Sequence, residues 1–451
     1  MNAHLNRRAV LRAAALTVAG AGLGGALSGC GREPRPGGDI VFWGASGDSA
    51  PPQQKIVDAF TAEHPGVRIT VNEVPVSSTD AATSVITAVR GGTAPDVWWV
   101  DRFTVVQYAA LGLLEPLTPL LAQYDGTDQA EFTSAWLDFA IAEVTYDGQI
   151  YALPTETDSR GLFYNKTVLR EVGIDPDELD PRNPPVTFDR LAEMSRAVTT
   201  VDAAGNYTRM GFVPWGDQAS AYAWSLGLGA RYFDPSRCAV DMLAPPVLEA
   251  YEQMARWRDE LGYDRVDVFK ATYAPPKSPP SQNLFVNGRR VFVADAPYFV
   301  SRIERYAPDL DWGVTHLPVW NAGDPPYTWS GGFALAAPRG SSLSPEVWEF
   351  LKYFAGPRGQ EVFLREVSRV PSERSVLATA AQTVPSIAYF VDEMAHSQSR
   401  PPLPIGQLWW DTSLAAQASV LHGTATPREA LERAQARLAP QMQLHCPYSP
   451  L

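Results

Sequence analysis

Cysteine and histidine are scarce in this chain, with three and six respectively among 451 residues. Neither a Cys-x-x-Cys pair nor a histidine cluster occurs, so a metal centre of that kind is not expected, and nothing in the sequence asks for a cofactor. Also missing are a Gly-x-Ser-x-Gly turn, a phosphate-binding glycine loop, a His-Glu-x-x-His helix and a dinucleotide fingerprint. That set of absences favours binding over catalysis. Basic residues are in deficit, 37 Lys and Arg against 50 Asp and Glu, for a formal net charge of −13. Neutralising phosphates requires a basic face, so nucleic acid is a poor partner. Beyond the first 30 residues, no run approaches the roughly 20 apolar residues that a membrane span needs.

What is present fits a packed, multi-domain protein. The length exceeds one ordinary core, and 45% apolar with 11% aromatic residues excludes a disordered chain. Thirteen tryptophans supply both core volume and flat faces on which a ligand stacks. At the N-terminus, Arg7, Arg8 and Arg12 precede a small-residue apolar stretch, Ala13 to Ala26, that closes in Leu27-Ser28-Gly29-Cys30. Residues 1–30 resemble a bacterial lipoprotein signal, with Cys30 as the lipidated N-terminus after cleavage. The stretch Asn6 to Arg12 also resembles a twin-arginine export signal. Cleavage removes three arginines and no acid, making the mature chain more acidic still. Residues 31–38, GREPRPGG, read as a flexible tether. Cys238 and Cys446 then remain, as a disulfide pinning the C-terminus or as two unrelated thiols.

From residue 39 onward, strand and helix signals alternate. Ile40-Val41-Phe42-Trp43 reads as a strand, and residues 51–64 as an amphipathic helix with Ile56 and Phe60 four apart. Pro65-Gly66 ends that helix, Val67 to Val71 alternates as a second strand, and Ala81 to Arg90 is helical again. Gly92 to Leu117 follows, with Val97-Trp98-Trp99-Val100 as a strand buried on both faces and Asp101 at its carboxyl end. This is the β-α-β-α-β order of a parallel sheet covered by helices.

Several pieces in order carry a family resemblance. They are the Phe-Trp strand, the Pro-Gly-Val-x-Ile-x-Val segment, Ala94-Pro95-Asp96, Tyr151-Ala152-Leu153-Pro154 and Leu162-Phe163-Tyr164-Asn165-Lys166. Leu284 to Val293, Trp329-Ser330-Gly331-Gly332-Phe333 and Arg369-Val370-Pro371 extend the series. The chain resembles the extracellular solute-binding proteins of bacterial ABC importers, family 1, sugar-binding group, in lipoprotein form. The resemblance implies an α/β fold of two lobes (type II periplasmic-binding-protein-like), each a mostly parallel sheet flanked by helices and joined by crossing hinge strands. Residues 39–157 and 330–369 would form the first lobe, and residues 158–329 and 370–451 the second. It implies hinge closure around a sugar or oligosaccharide. A monomer would then deliver the ligand to ABC permease subunits with a separate ATPase.

A sugar cleft needs aromatic faces for the rings and acceptors for the hydroxyl protons. Asp48 and Asp101, in loops after the first and third strands, are candidate acceptors, with helix N-capping as their competing role. Glu156 and Arg160 lie between the two crossing motifs, where they either face the cleft or pair at the hinge. Trp215, Trp224 and Tyr298 are candidate second-lobe aromatics, with core packing as the alternative. Trp329, just before Gly331, is the leading stacking candidate, because glycine there lets backbone approach a ligand. Arg369 or Arg374 at the third crossing could clamp a hydroxyl or a phosphate. Two other readings stay open. One is the same fold binding glycerol phosphate or a glycerophosphodiester, and the other is a secreted lipoprotein glycoside hydrolase using acids such as Glu156 and Asp158.

Overall fold

In the first strand, β1 (Asp39–Ala45), Ile40 and Phe42 point to one buried side while Val41 and Trp43 lie half-buried on the other. The structure, a computed structural model, describes residues 38–74 and 79–450. Cys30, the signal segment and the tether before residue 38 lie outside the described residues. β1 pairs in parallel with β2 (Arg68–Val74) on one side and β3 (Val97–Asp101) on the other. β4 (Ala152–Pro154) lies at the far edge of the same five-stranded sheet. A later strand enters between β3 and β4 and runs antiparallel to both, Phe333 opposite Asp101 and Ala334 opposite Pro154. Helix α1 (Ala50–Glu63) covers one face, together with the helices Pro345–Ala355 and Pro357–Val367. Phe42, Phe60, Phe350 and Phe354 meet there edge to face, with centroids 5.2–5.6 Å apart for the pairs that include Phe42 or Phe350 with Phe60.

The chain leaves this sheet at β4 and, after six intervening residues, begins β5 (Gly161–Asn165), the centre of a second sheet. Its neighbours β6 (Phe292–Asp295) and β7 (Trp312–Thr315) both run antiparallel to it. The second sheet therefore departs from the mostly parallel arrangement expected of each lobe. The parallel unit is present but split, because β6, helix α2 (Tyr298–Tyr306) and β7 form a β-α-β crossover that straddles β5. The rest of this lobe is largely helical, including Pro245–Leu261, Gly406–Leu421 and Pro427–Gln443 around one large core. Two lobes of mixed strand and helix result.

Two more segments cross between the sheets. β8 (Thr328–Ser330) leads through Gly331-Gly332 into β9 (Phe333–Ala336), the antiparallel strand of the first sheet. Beside it, Thr157 N–H donates to the Val370 carbonyl at 2.7 Å, and β8 pairs in parallel with β10 (Ser397–Ser399). Cys238 and Cys446 form a disulfide, fixing the end of the last helix to the turn after Phe233–Asp234. Among the described residues no helix is long and apolar enough to cross a membrane.

Phe60 is fully buried between Phe350 and Tyr353, whereas Leu414 is 41% exposed on the second lobe. Phe60→Ala is expected to lower unfolding free energy by about 3–5 kcal/mol, through lost burial plus a cavity. Leu414→Ala should stay within about 0.5 kcal/mol. Urea unfolding of both variants measures the contrast, and equal effects would contradict this account of the first-lobe core.

Candidate ligand cleft

The residues where the three crossings meet are polar, charged and nearly all buried. The centre is Arg102, the first residue after β3, with no exposed surface. Its Nε pairs with Glu143, Nη1 donates to the Glu156 carbonyl at 2.6 Å and Nη2 to the Gly331 carbonyl at 2.8 Å. Its own N–H donates to the Gly332 carbonyl at 3.0 Å. Gly332 has φ +142, and a side chain there would come within 2.4 Å of the Glu156 carbonyl. Only glycine fits this close approach.

Next along the crossing, Asp158 accepts from the Arg160 guanidinium and from Gly331 N–H. Arg160 lies over the Trp329 ring, its guanidinium carbon 3.5 Å from the centroid, and donates to the Trp329 carbonyl at 3.1 Å. Gln218 accepts from Arg160 Nε and Nη2 at 3.3 and 3.2 Å and donates to the Tyr298 hydroxyl at 3.1 Å. On the other side, Arg400 Nη2 donates to Asp101 Oδ1 at 2.8 Å, and its guanidinium carbon sits 3.7 Å over Phe103. Trp410 and Tyr222 complete the aromatic wall, Tyr222 standing edge-on to Trp329 at 5.6 Å. The Trp329 Nε1 is buried without a hydrogen-bond partner among the described residues.

Arg369 faces the rings of Tyr298 and Phe333 at 5.0 and 5.8 Å and approaches Glu156 Oε2 at 3.6 Å. Glu156 is 1% exposed, and neither of its carboxylate oxygens has a hydrogen-bond partner among the described residues. Burial pushes its pKa up to about 7, a rise that Arg369 restrains. Burial likewise raises Asp101, with Arg400 opposing. Four guanidinium–carboxylate pairs thus meet in one place: Arg102 with Glu143, Arg160 with Asp158, Arg369 with Glu156 and Arg400 with Asp101.

Of the residues singled out from sequence, Asp101, Glu156, Arg160, Tyr298, Trp329, Gly331 and Arg369 come together in this cluster. Four others do not. Asp48 does follow β1, but it is exposed and pairs at 3.3 Å with Arg302 of α2, at a groove on the rim between the two sheets. Trp224 lies in the second-lobe core, its Nε1 donating to the Pro214 carbonyl at 2.8 Å and its ring against the edges of Phe188 and Phe212. Trp215 is buried against Tyr263 in the same core. Both tryptophans flank an irregular segment with no periodicity to show which side faces in. Arg374, the other third-crossing candidate, pairs on the surface with Asp138. Sequence reading missed Arg400, Gln218, Tyr222 and Trp410. Arg400 stands before Pro401-Pro402, which hold the backbone extended there, the one local signal that could have marked it.

Glu156 also sets a pH dependence. Its folded-state pKa lies above the roughly 4.3 of an unfolded glutamate, so between those values the native state binds the extra proton. Stability from this group is present at low pH and is lost as pH rises toward about 7, by a few kcal/mol in all at ~1.4 kcal/mol per pH unit. Urea unfolding from pH 4.5 to 8 is expected to show the wild type losing stability relative to Glu156→Gln across that window. A constant difference between the two would refute the assignment.

Comparison with known proteins bears on the family and the fold. A maltotriose-binding protein of Pyrococcus abyssi is 22% identical over 365 residues, covering 79% of this chain and 71% of its own length. A Brucella abortus protein, in name a binding protein, is 25% identical over 291 residues, and the match spans 62% of each chain. The solved structure of CpMnBP1 with mannobiose bound superposes with a TM-score of 0.76 at 22% identity, covering 88% of this chain and 98% of that one. At that identity the likeness shows the fold. The model of the bacterial extracellular solute-binding protein family matches residues 45–361, well over half of the sequence, and the chain belongs to that family.

Proposed function

We propose that this chain is the substrate-binding component of an ABC importer, capturing a neutral sugar or oligosaccharide between its lobes and delivering it to membrane permease subunits. The observation that carries the reading is the charge-balanced wall at the crossings. Trp410 and Tyr222 supply aromatic rings beside Trp329, one face of which Arg160 covers, while the carboxylates of Asp101 and Glu156 supply acceptors and the arginines donors. Hydroxyl groups need both, and a neutral ligand leaves the four ion pairs intact. A phosphomonoester would have to draw cations away from buried carboxylates at a desolvation cost, which weighs against the glycerol-phosphate reading. Asp158 already holds Arg160 and Gly331, which weighs against a free acid pair for glycoside hydrolysis.

On this reading the lobes are residues 39–157 with 330–369 and residues 158–329 with 370–451, and the chain works as a monomer. Closure rotates the lobes about the crossings, and ligand stabilises the closed form by touching both. The N-terminal segment exports the protein and lipidates Cys30, leaving it anchored on the outer face of the cytoplasmic membrane. Recovery of a lipid-modified N-terminal peptide beginning at Cys30 by mass spectrometry tests the anchor.

A thermal-unfolding screen against mono- and oligosaccharides, polyols and glycerophosphodiesters tests the ligand. A true ligand at a hundred times its Kd adds about 2.7 kcal/mol to native stability. Trp329→Ala and Asp101→Ala should abolish the shift, and Trp224→Phe should keep it. A response confined to phosphodiesters, or turnover of a glycoside without a shift, would overturn the proposal.

A further inference from the structure

A separate cavity of about 250 Å³ opens on the second lobe, lined by Gly216, Asp217, Lys270, Asn283 and Arg290, among others. Arg290 is buried, with its side chain only 4% exposed. Its Nη1 pairs with Asp217 Oδ2 at 2.5 Å, but Nε and Nη2 have no hydrogen-bond partner among the described residues. Buried guanidinium N–H groups are seldom left unsatisfied, since each lost bond carries the full desolvation cost. Lys270 reaches over Gly216, where an added side chain would meet its Nζ at 3.4 Å. Burial and the neighbouring Arg290 hold its pKa below the ordinary lysine value. Asn283 Oδ1 accepts from the N–H groups of Phe285 and Val286 at 2.9 and 3.3 Å, which leaves its amide NH₂ as a donor.

Donors therefore outnumber acceptors around this space, and two cations stand against the one carboxylate that lines it. Asp267 also acts on Lys270, and the buried Asp295 has a raised pKa, but neither carboxylate lines the cavity. A ligand that satisfies the set needs several acceptor oxygens and a negative charge, geometry that a guanidinium fork matches well. We propose that this cavity is a second binding site, for a small tetrahedral oxyanion such as inorganic phosphate or sulfate, held by Arg290, Lys270 and Asn283. It is separate from the sugar cleft but adjoins it. Asp217 lines the cavity, and the next residue, Gln218, holds Arg160 and Tyr298 in the cleft wall.

Calorimetric titration of the purified protein with phosphate and with sulfate, at ionic strength held constant with chloride, tests the site. Saturable binding of one ion per chain is expected for either oxyanion. Lys270→Gln should weaken it about ten-fold, Lys270→Arg should largely restore it, and the surface variant Leu414→Ala should leave it unchanged. Arg290→Lys, which keeps the charge but loses the fork, should also weaken it. If that variant does not fold, Lys270→Gln decides alone. A non-saturable response that chloride reproduces, or equal binding by wild type and Lys270→Gln, would overturn the proposal. These readouts do not involve sugar, so failure here and failure of the sugar-binding reading are separable.

Discussion

A guanidinium with no exposed surface holds the junction of this molecule together. Stripping Arg102 of water costs several kcal/mol, and the chain offsets that cost by giving it partners from three different segments. Glu143 neutralises it, and the Glu156 and Gly331 carbonyls take its remaining forks. Those carbonyls belong to two of the crossing segments, so one side chain at the end of β3 fixes where both pass. Lysine would supply the charge but only a point donor, without the planar reach to two carbonyls at once. The positive φ at Gly332 follows from the same constraint, since the backbone must come within contact distance of Glu156.

That junction accounts for the character of the cleft. Segments fixed this tightly present their next residues in a set order: Asp158 and Arg160 from one, Trp329 from another, Arg369 from the third. Each arginine lies against an aromatic face and beside a carboxylate. Stacking and pairing together reduce the rotamer freedom of long side chains, so less entropy remains to be lost on binding. Among the four paired carboxylates, Glu156 alone has neither oxygen in a hydrogen bond among the described residues. A hydroxyl donor would fill those sites, and burial, the cause of its raised pKa, is what makes the unfilled sites costly.

Where short-range rules decide the structure, the sequence was readable. The run Val97 to Val100 is buried on both faces because Val97 and Trp99 pack into one apolar cluster and Trp98 and Val100 into another, and Asp101 follows at the strand end. Trp329 and Arg369 were found because glycine and proline nearby mark the crossings. The second sheet was misjudged because strand direction there depends on β5 being inserted between two strands over a hundred residues away in sequence. Trp215 and Trp224 were misplaced for a related reason. Composition counts aromatics, but burial depends on which helix of a non-periodic segment covers them. Arg400 lies beyond the last family motif, and only the tertiary fold brings it to Asp101, 299 residues earlier.

The outlying pair Asp48–Arg302 gains meaning from this arrangement. It joins the loop after β1 to helix α2, one partner on each side of the cleft, and both side chains are partly exposed. An exposed pair contributes little to stability, typically under ~1 kcal/mol. Closure, however, needs only a small bias between two states separated by a few kcal/mol. The buried network at the crossings is common to any arrangement of the lobes that keeps the hinge intact. On the closure reading, a rim pair of this kind would form only as the lobes approach. If the lobes close as proposed, stability and closure would rest on different interactions: the costly buried arginine would hold the hinge, and weak contacts at the rim, together with ligand, would set how often the cleft is shut.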